Sequence, residues 1–218
     1  MNTLKLLFFV FFFSSTTGLY TQDDSDYLMI MLKQKEAFSS AKTEKDFMDL
    51  ANTFQRISNA ESQEWYPLYY AGLCYINMSF ATGNKLQKDG YLDQAQYFVD
   101  AALELNPDES ELYVLQALLF QGRIQIDPDQ RGKKFSDKAE ESLYVAKEYN
   151  PENPRLYYLL GLNTMHRPEI VGGGVINACP LFAKAAEMYN KSIPSHVLAP
   201  TWGGTQNQQL LNQNCPNK

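Results

Sequence analysis

The residues whose types could support chemistry are few, and they lie far apart in the chain. There are three cysteines, Cys74, Cys179 and Cys215. In an oxidising compartment an odd count suggests one pair and one leftover thiol. Cys74 lies in the apolar helical run Ala71-Gly72-Leu73-Cys74-Tyr75-Ile76 and reads as a buried thiol. Cys215 sits in a polar tail that needs anchoring, so Cys179 and Cys215 are the candidate disulfide, with three free thiols as the alternative. Such a bridge closes a loop of about 36 residues, worth ~3–4 kcal/mol if its effect is on chain entropy. The two histidines, His166 and His196, flank different elements and share no metal-ligand spacing. The sequence has no Cys-x-x-Cys, no His-Glu-x-x-His and no Gly-x-Ser-x-Gly elbow. Asp127-Pro128-Asp129 resembles a fragment of a calcium loop, but Pro128 and the missing glutamate argue against it. No nucleophile–base pair is visible, so the expectation is a protein that is not an enzyme, with no catalytic residue, metal or cofactor. A hydrolytic dyad of Asp and Glu brought together by the fold stays open. The last candidate is Gly172-Gly173-Gly174, with Arg167 upstream, Asn177 as a helix N-cap and Pro180 in the first turn. Consecutive amides ahead of a helix can hold an anion. No Lys-Ser/Thr follows, so it is not a P-loop, and the alternative is a tight turn that glycine permits.

The elements that must position these residues are helices. Three segments share a skeleton: Ala95, Val99, Ala102 and Pro107; Ala139, Leu143, Ala146 and Pro151; Ala178, Phe182 and Ala185, with Asn190 in the last place. Spacings of four and three put these side chains on one helical stripe, and small alanines there let a second helix approach closely. A partner helix precedes each segment: 66–81 with Ala71-Gly72, 111–123 with Ala117, and 155–165 with Gly161. Asn106-Pro107, Asn150-Pro151 and Asn153-Pro154 punctuate the units, with Asn as a helix N-cap and Pro at the first position. Ahead of the repeats, residues 26–41 and 44–59 form another helical pair, with Thr43 as cap and Asp46 at the third helical position.

This pattern resembles the tetratricopeptide repeat. The resemblance rests on the alanine stripes, on Gly72, Ala117 and Gly161, and on Pro107 and Pro151. The chain departs from the family in two ways. Leu68, Tyr113 and Tyr157 stand where the family places tryptophan. The period is also stretched beyond the family's length of about 34 residues. The resemblance implies an all-α fold, a right-handed superhelix of antiparallel helix pairs. It divides the chain into residues 22–62, an N-terminal pair; 63–190, three repeats with long links between paired helices; and 191–218, a C-terminal cap anchored by Trp202. Gly161, His166-Arg167-Pro168, Gly172-Gly173-Gly174, Ala178, Phe182 and Trp202-Gly203 further resemble exported tetratricopeptide proteins of the Bacteroidetes type, a likeness that brings no settled activity.

In tetratricopeptide stacks the first helix of each pair lines the concave face. That places Tyr66, Tyr69, Leu73 and Ile76, then Glu111, Val114, Leu118 and Gln121, then Arg155, Tyr158, Leu162 and Met165 toward a partner. Such an aromatic and aliphatic surface suits a peptide or protein segment. The alternative is that the N-terminal pair or the tail fills this face and makes it core. The links 81–90, 122–138 and 166–174 form a second candidate surface. They carry Lys85, Lys88, Arg123, Arg131, Lys133, Lys134, Lys138 and Arg167 against five acidic residues, a basic edge that could draw an anionic ligand.

The chain as a whole is acidic, with a formal charge of −6, which disfavours nucleic acid and anionic lipid as partners. Lys5, the apolar block 6–13 and the polar run 14–18 have the layout of a secretory signal, with cleavage expected before Gln22. A bilayer span needs ~20 apolar residues, so stable membrane insertion is not expected. The resulting expectation is an exported, periplasmic or secreted, non-catalytic scaffold that binds a protein or peptide of the cell envelope. The alternative is a small-molecule or anion carrier using the basic edge and the glycine turn.

Overall fold

The structure, a computed structural model, describes residues 22–215. The expected signal segment, residues 1–21, lies outside the described residues. Among the described residues every regular element is helical. The helices are α1 (Gln22–Ser40), α2 (Glu44–Ala60), α3 (Trp65–Ala81), α4 (Lys85–Leu105), α5 (Ser110–Ile124), α6 (Pro128–Tyr149), α7 (Pro154–His166), α8 (Val175–Lys191) and α9 (Gly204–Asn214). They pair in chain order, α3 with α4, α5 with α6 and α7 with α8, and α2 packs on α3. The result is an all-α stack of tetratricopeptide-like helix pairs.

Local chemistry sets most boundaries. Thr43 and Asp46 form a reciprocal capping box at the start of α2. Asn153 caps α7: its side chain accepts from Arg155 N at 3.0 Å, and Pro154 is the first helical residue. Asn106 and Asn150 correct the expectation that all three Asn-Pro pairs begin helices. These two close α4 and α6 instead, their amides donating to Ala102 O at 3.0 Å and Ala146 O at 2.9 Å. The following proline drives each out of the α region and ends the helix there.

The stretched period also resolves differently from the expectation. Asn84 caps α4 by accepting from Leu86 N and Gln87 N, and Asp127 caps α6 by accepting from Gln130 N. Most of 81–90 and 122–138 is therefore added helix, and the extra residues lengthen the second helix of each pair. Only 166–174 is irregular, around a 3-10 turn at Glu169–Val171.

The alanine stripes are the spine of the core. Ala95, Val99, Ala102, Ala139, Leu143, Ala146, Ala178, Phe182 and Ala185 are all 0% exposed. Small residues opposite them allow the close approach. A Cβ on Gly161 would lie 2.5 Å from Phe182 Cε1, so the α7–α8 pair closes only because position 161 has none. Beyond α8 the chain does more than cap the last pair. Residues 192–203 run back to α1 and α3 before α9 packs on α8 and α7.

Candidate functional site

The segment 196–203 lies across the expected concave face as a strap. His196 stacks on Tyr66 with ring centroids 5.2 Å apart. Lys35 Nζ donates to Val197 O at 2.7 Å, and Tyr70 Oη donates to Leu198 O at 2.8 Å. Trp202 Nε1 donates to Tyr69 Oη at 2.8 Å. The strap turns at Gly203, whose φ of 98° and a contact of 2.2 Å from a would-be Cβ to Tyr189 Oη leave no room for a side chain.

The strap corrects the expectation of an open concave groove. Tyr66 and Tyr69 are buried beneath it, and burial pushes both phenols up. Val114 and Ile76 are core. Gln121 is half-buried and donates to Leu159 O at 2.9 Å. Leu162 and Met165 are half-buried, and Leu162 packs against the second core cluster. Glu111 and Arg155 form a buried ion pair, with Arg155 Nε 2.8 Å from Oε2 and Nη2 2.6 Å from Oε1. Asn153 Nδ2 donates to the same Oε1 at 2.8 Å, and the Arg155 guanidinium lies 5.7 Å from the centre of the Trp202 ring. A peptide on this face would have to displace the chain's own tail.

The strap separates two cavities. One is a polar cleft of about 430 Å³, lined by Trp65, Tyr66, Glu109, Glu111, Arg155 and Lys184 among others. Most of its charges have partners: besides the Glu111–Arg155 pair, Glu187 holds Lys184 at 3.2 Å and Lys191 at 2.6 Å, whereas Glu109 accepts the Glu111 amide at 3.0 Å and, among the described residues, faces no cation in an ion pair. Glu109 is half-buried, and burial holds its carboxyl above the usual range. The other cavity is a groove of about 650 Å³ with a different character. α1 and α2 supply Lys35, Phe38 and Phe47; the repeats supply Tyr70, Leu73, Phe80, Leu118 and Tyr158; the strap and the start of α9 supply residues 201–206. Lys35 is its cation, and burial, with help from the Arg155 charge, lowers the Lys35 pKa. Burial raises the Tyr158 phenol and so keeps it protonated. Among the described residues no histidine, cysteine or methionine lines this groove. Among the described residues no group of three or more His, Cys, Asp or Glu is placed to hold a metal.

The groove therefore gathers Leu73, Leu118 and Tyr158 from the expected face, and leaves Tyr66, Glu111 and Arg155 on the far side of the strap. Sequence reasoning missed Lys35, Phe38 and Phe47. Phe38 and Lys35 are three residues apart on one helix, a spacing that marks a shared face, but α1 has little amphipathic contrast to single that face out.

The anion site expected at Gly172, Gly173 and Gly174 does not form as expected. Their amides donate to Glu169 O at 2.9 Å, Pro168 O at 3.1 Å and Thr164 O at 2.9 Å. Gly172 and Gly174 take φ of 81° and 92°, which makes the run a tight turn. Asn177 is inside α8, donating to Gly173 O at 2.8 Å, and Gly174 occupies the cap position. Arg167 pairs with Glu140. The basic edge is neutralised in part, with Lys85, Lys88, Lys134 and Lys138 outside its ion pairs among the described residues. Arg123 reaches Asp89 and Asp93, Arg131 reaches Asp89 at 2.7 Å, and Lys133 reaches Asp137 at 2.6 Å. Cys179 and Cys215 form a disulfide, and Cys74 is a buried thiol whose pKa burial pushes up.

Helix pairs, buried alanine stripes and the strap-bordered groove define a tetratricopeptide-like helical-repeat protein. No protein-family model matches the sequence, and no curated relative matches it. Among solved structures the chain is similar to the HusA haemophore from Porphyromonas gingivalis, with a TM-score of 0.77 and 31% identity, covering 85% of this chain and 90% of that one. The chain belongs to the same family as that protein. It is also similar to a thermophilic tetratricopeptide protein of Thermus thermophilus, with a TM-score of 0.44 and 16% identity over 85% of this chain and 99% of that one. Among the described residues no helix is long and apolar enough to cross a membrane.

Proposed function

We propose that this chain is an exported, non-catalytic carrier that holds a planar, acid-bearing macrocycle of the haem or porphyrin class in the aromatic groove. The observation that carries this reading is the groove itself. Its volume of about 650 Å³ falls within the range of small-molecule sites, roughly 300–1,000 Å³. Phe38, Phe80, Tyr158 and Trp202 keep aromatic surface exposed along the groove for a conjugated ring, with buried Phe47 and Tyr70 behind them. Lys35 offers one cation for a peripheral carboxylate. The 31% identity to a haemophore supports the same ligand class. Export fits the signal layout of residues 1–21 and the Cys179–Cys215 disulfide.

The lining also bears on what is recognised. Tyr70 is committed to Leu198 O, and Tyr158 is held as a neutral phenol, a poor ligand for iron. Among the described residues no imidazole or thioether lines the groove to replace them. Recognition therefore rests on ring faces and acid groups. Titrating the protein with haemin and with iron-free protoporphyrin IX tests this through quenching of tryptophan fluorescence and a shift in the ligand's visible spectrum. Both should bind, with Kd values within about tenfold of each other, a difference of ~1.4 kcal/mol. Binding of neither compound would sink the proposal; binding of haemin alone would overturn the ring-recognition part of it.

A further inference from the structure

α9 forms the groove's C-terminal border through residues 204–206, yet it has little hold on the body of the protein. It is a polar helix. Gln206, Gln208, Gln209, Asn212 and Gln213 are exposed, and Asn207 is its buried residue. Leu210 and Leu211 are only half-buried. Asn207 Nδ2 donates to Phe182 O at 3.0 Å, while its Oδ1 is buried without a partner. An amide half-satisfied in this way contributes little net stability. The remaining tie is covalent: Cys215, at the far end of α9, is bonded to Cys179 on α8.

We infer that the Cys179–Cys215 disulfide is a redox latch on the aromatic groove, whose reduction frees α9 and loosens the groove wall at residues 204–206. The consequence for ligand rests on the macrocycle reading above; the loosening itself does not. The step is thiol–disulfide exchange with a dithiol reductant. The bond between the two cysteine sulfurs breaks, each sulfur gains an electron and a proton, and the two reductant sulfurs join as a new disulfide. Cys74 takes no part, because it is fully buried on α3. The strap's upstream ties, Lys35 to Val197 and Tyr70 to Leu198, do not involve α9 and should survive. The latch is therefore local.

The test uses the full chain, oxidised and dithiol-reduced, together with a Cys179→Ser/Cys215→Ser variant. Readouts are protoporphyrin IX affinity, amide hydrogen exchange of α9, tryptophan fluorescence and helix content. On reduction, α9 amides should lose protection, while tryptophan emission and total helix content should barely change, because Trp202 stays bonded to Tyr69 and Tyr189. If α9 is then docked about a tenth of the time, Kd rises about tenfold. The double variant should match the reduced protein. Unchanged α9 exchange overturns the latch, and so does loss of helix throughout the molecule. Equal affinity in both states also overturns it, even if α9 loosens. If the oxidised protein binds no protoporphyrin at all, the macrocycle reading fails, and α9 exchange alone decides whether the latch exists.

Discussion

The two cavities beside the strap share a wall and differ in everything else. In the polar cleft the most buried charges have found partners: Arg155 is forked on Glu111, Asn153 completes the carboxylate, and Ser110 links Asn153 to Ala146 O. In the aromatic groove Phe38, Phe80, Tyr158 and Trp202 are large, flat and incompletely covered, and Lys35 stands among them. A region whose polar groups satisfy one another has little left to offer a ligand, whereas uncovered aromatic area and a lone cation are what a ligand can still improve. The cleft should therefore govern stability and the groove affinity. Four measurements can break that division or sharpen it.

The largest effect is expected from Glu111→Ala. Glu111 and Arg155 are 12% and 8% exposed at their side chains, so removing the carboxylate leaves a buried guanidinium without its counter-charge. The expected loss is ~3–5 kcal/mol in urea unfolding. Affinity of the folded fraction for protoporphyrin IX should hold within about twofold, since the pair lies across the strap from the groove. Adding Arg155→Met should recover much of the loss, because an apolar replacement removes the uncompensated charge. A variant that keeps its stability but loses its ligand would reverse the assignment of the two cavities.

Trp202→Phe comes next and affects both sides. Tyr69 is 0% exposed, and its hydroxyl would lose the Trp202 Nε1 donor, for a cost of ~1–3 kcal/mol. A phenyl ring keeps part of the aromatic wall, so Kd for protoporphyrin should rise by only about tenfold, or ~1.4 kcal/mol. A stability loss with no change in affinity would remove Trp202 from the ligand wall and leave it as a strap anchor alone.

The balance of what the sequence discloses follows the same physical line. Alanine spacing in three segments discloses the helix pairs, because close packing between neighbours in the chain is a local property. Thr43 with Asp46 discloses a helix start for the same reason. The site is harder to see. Lys35 and Val197 are 162 positions apart, and no periodic signal ties a strap to the face it covers. Trp202-Gly203 in a proline-flanked tail shows that something anchors there, but not that it reaches α3. The basic edge reads as free in the sequence because a count of charges does not show that Asp89 sits between Arg123 and Arg131.

Lys35→Met isolates the groove's electrostatic part. Lys35 is half-buried and already hydrogen-bonded to Val197 O, so its pull on a ligand carboxylate should be worth ~1 kcal/mol, or about fivefold in Kd. The dimethyl ester of the same macrocycle should bind the wild type and the variant alike, and unfolding free energy should fall by ~1 kcal/mol for the lost bond to Val197 O. Loss of ester binding would mean that Lys35 shapes the groove rather than reading the acid.

The smallest effect is one of pH, and its sign is set by the same lysine. Burial lowers the Lys35 pKa, so this side chain loses its charge at lower pH than an ordinary lysine. Only the charged form attracts a carboxylate, and a bound carboxylate raises the pKa back toward the usual value. Binding of the acid ligand must therefore take up a proton where Lys35 is partly neutral, and affinity must fall as pH rises through the range below ~10. The loss cannot exceed what Lys35→Met removes, about fivefold at ~1 kcal/mol, and that variant should show a flat profile. A fall of the same size in the variant would place the titrating group elsewhere. The phenols cannot supply it at these pH values, since burial pushes both Tyr70 and Tyr158 upward.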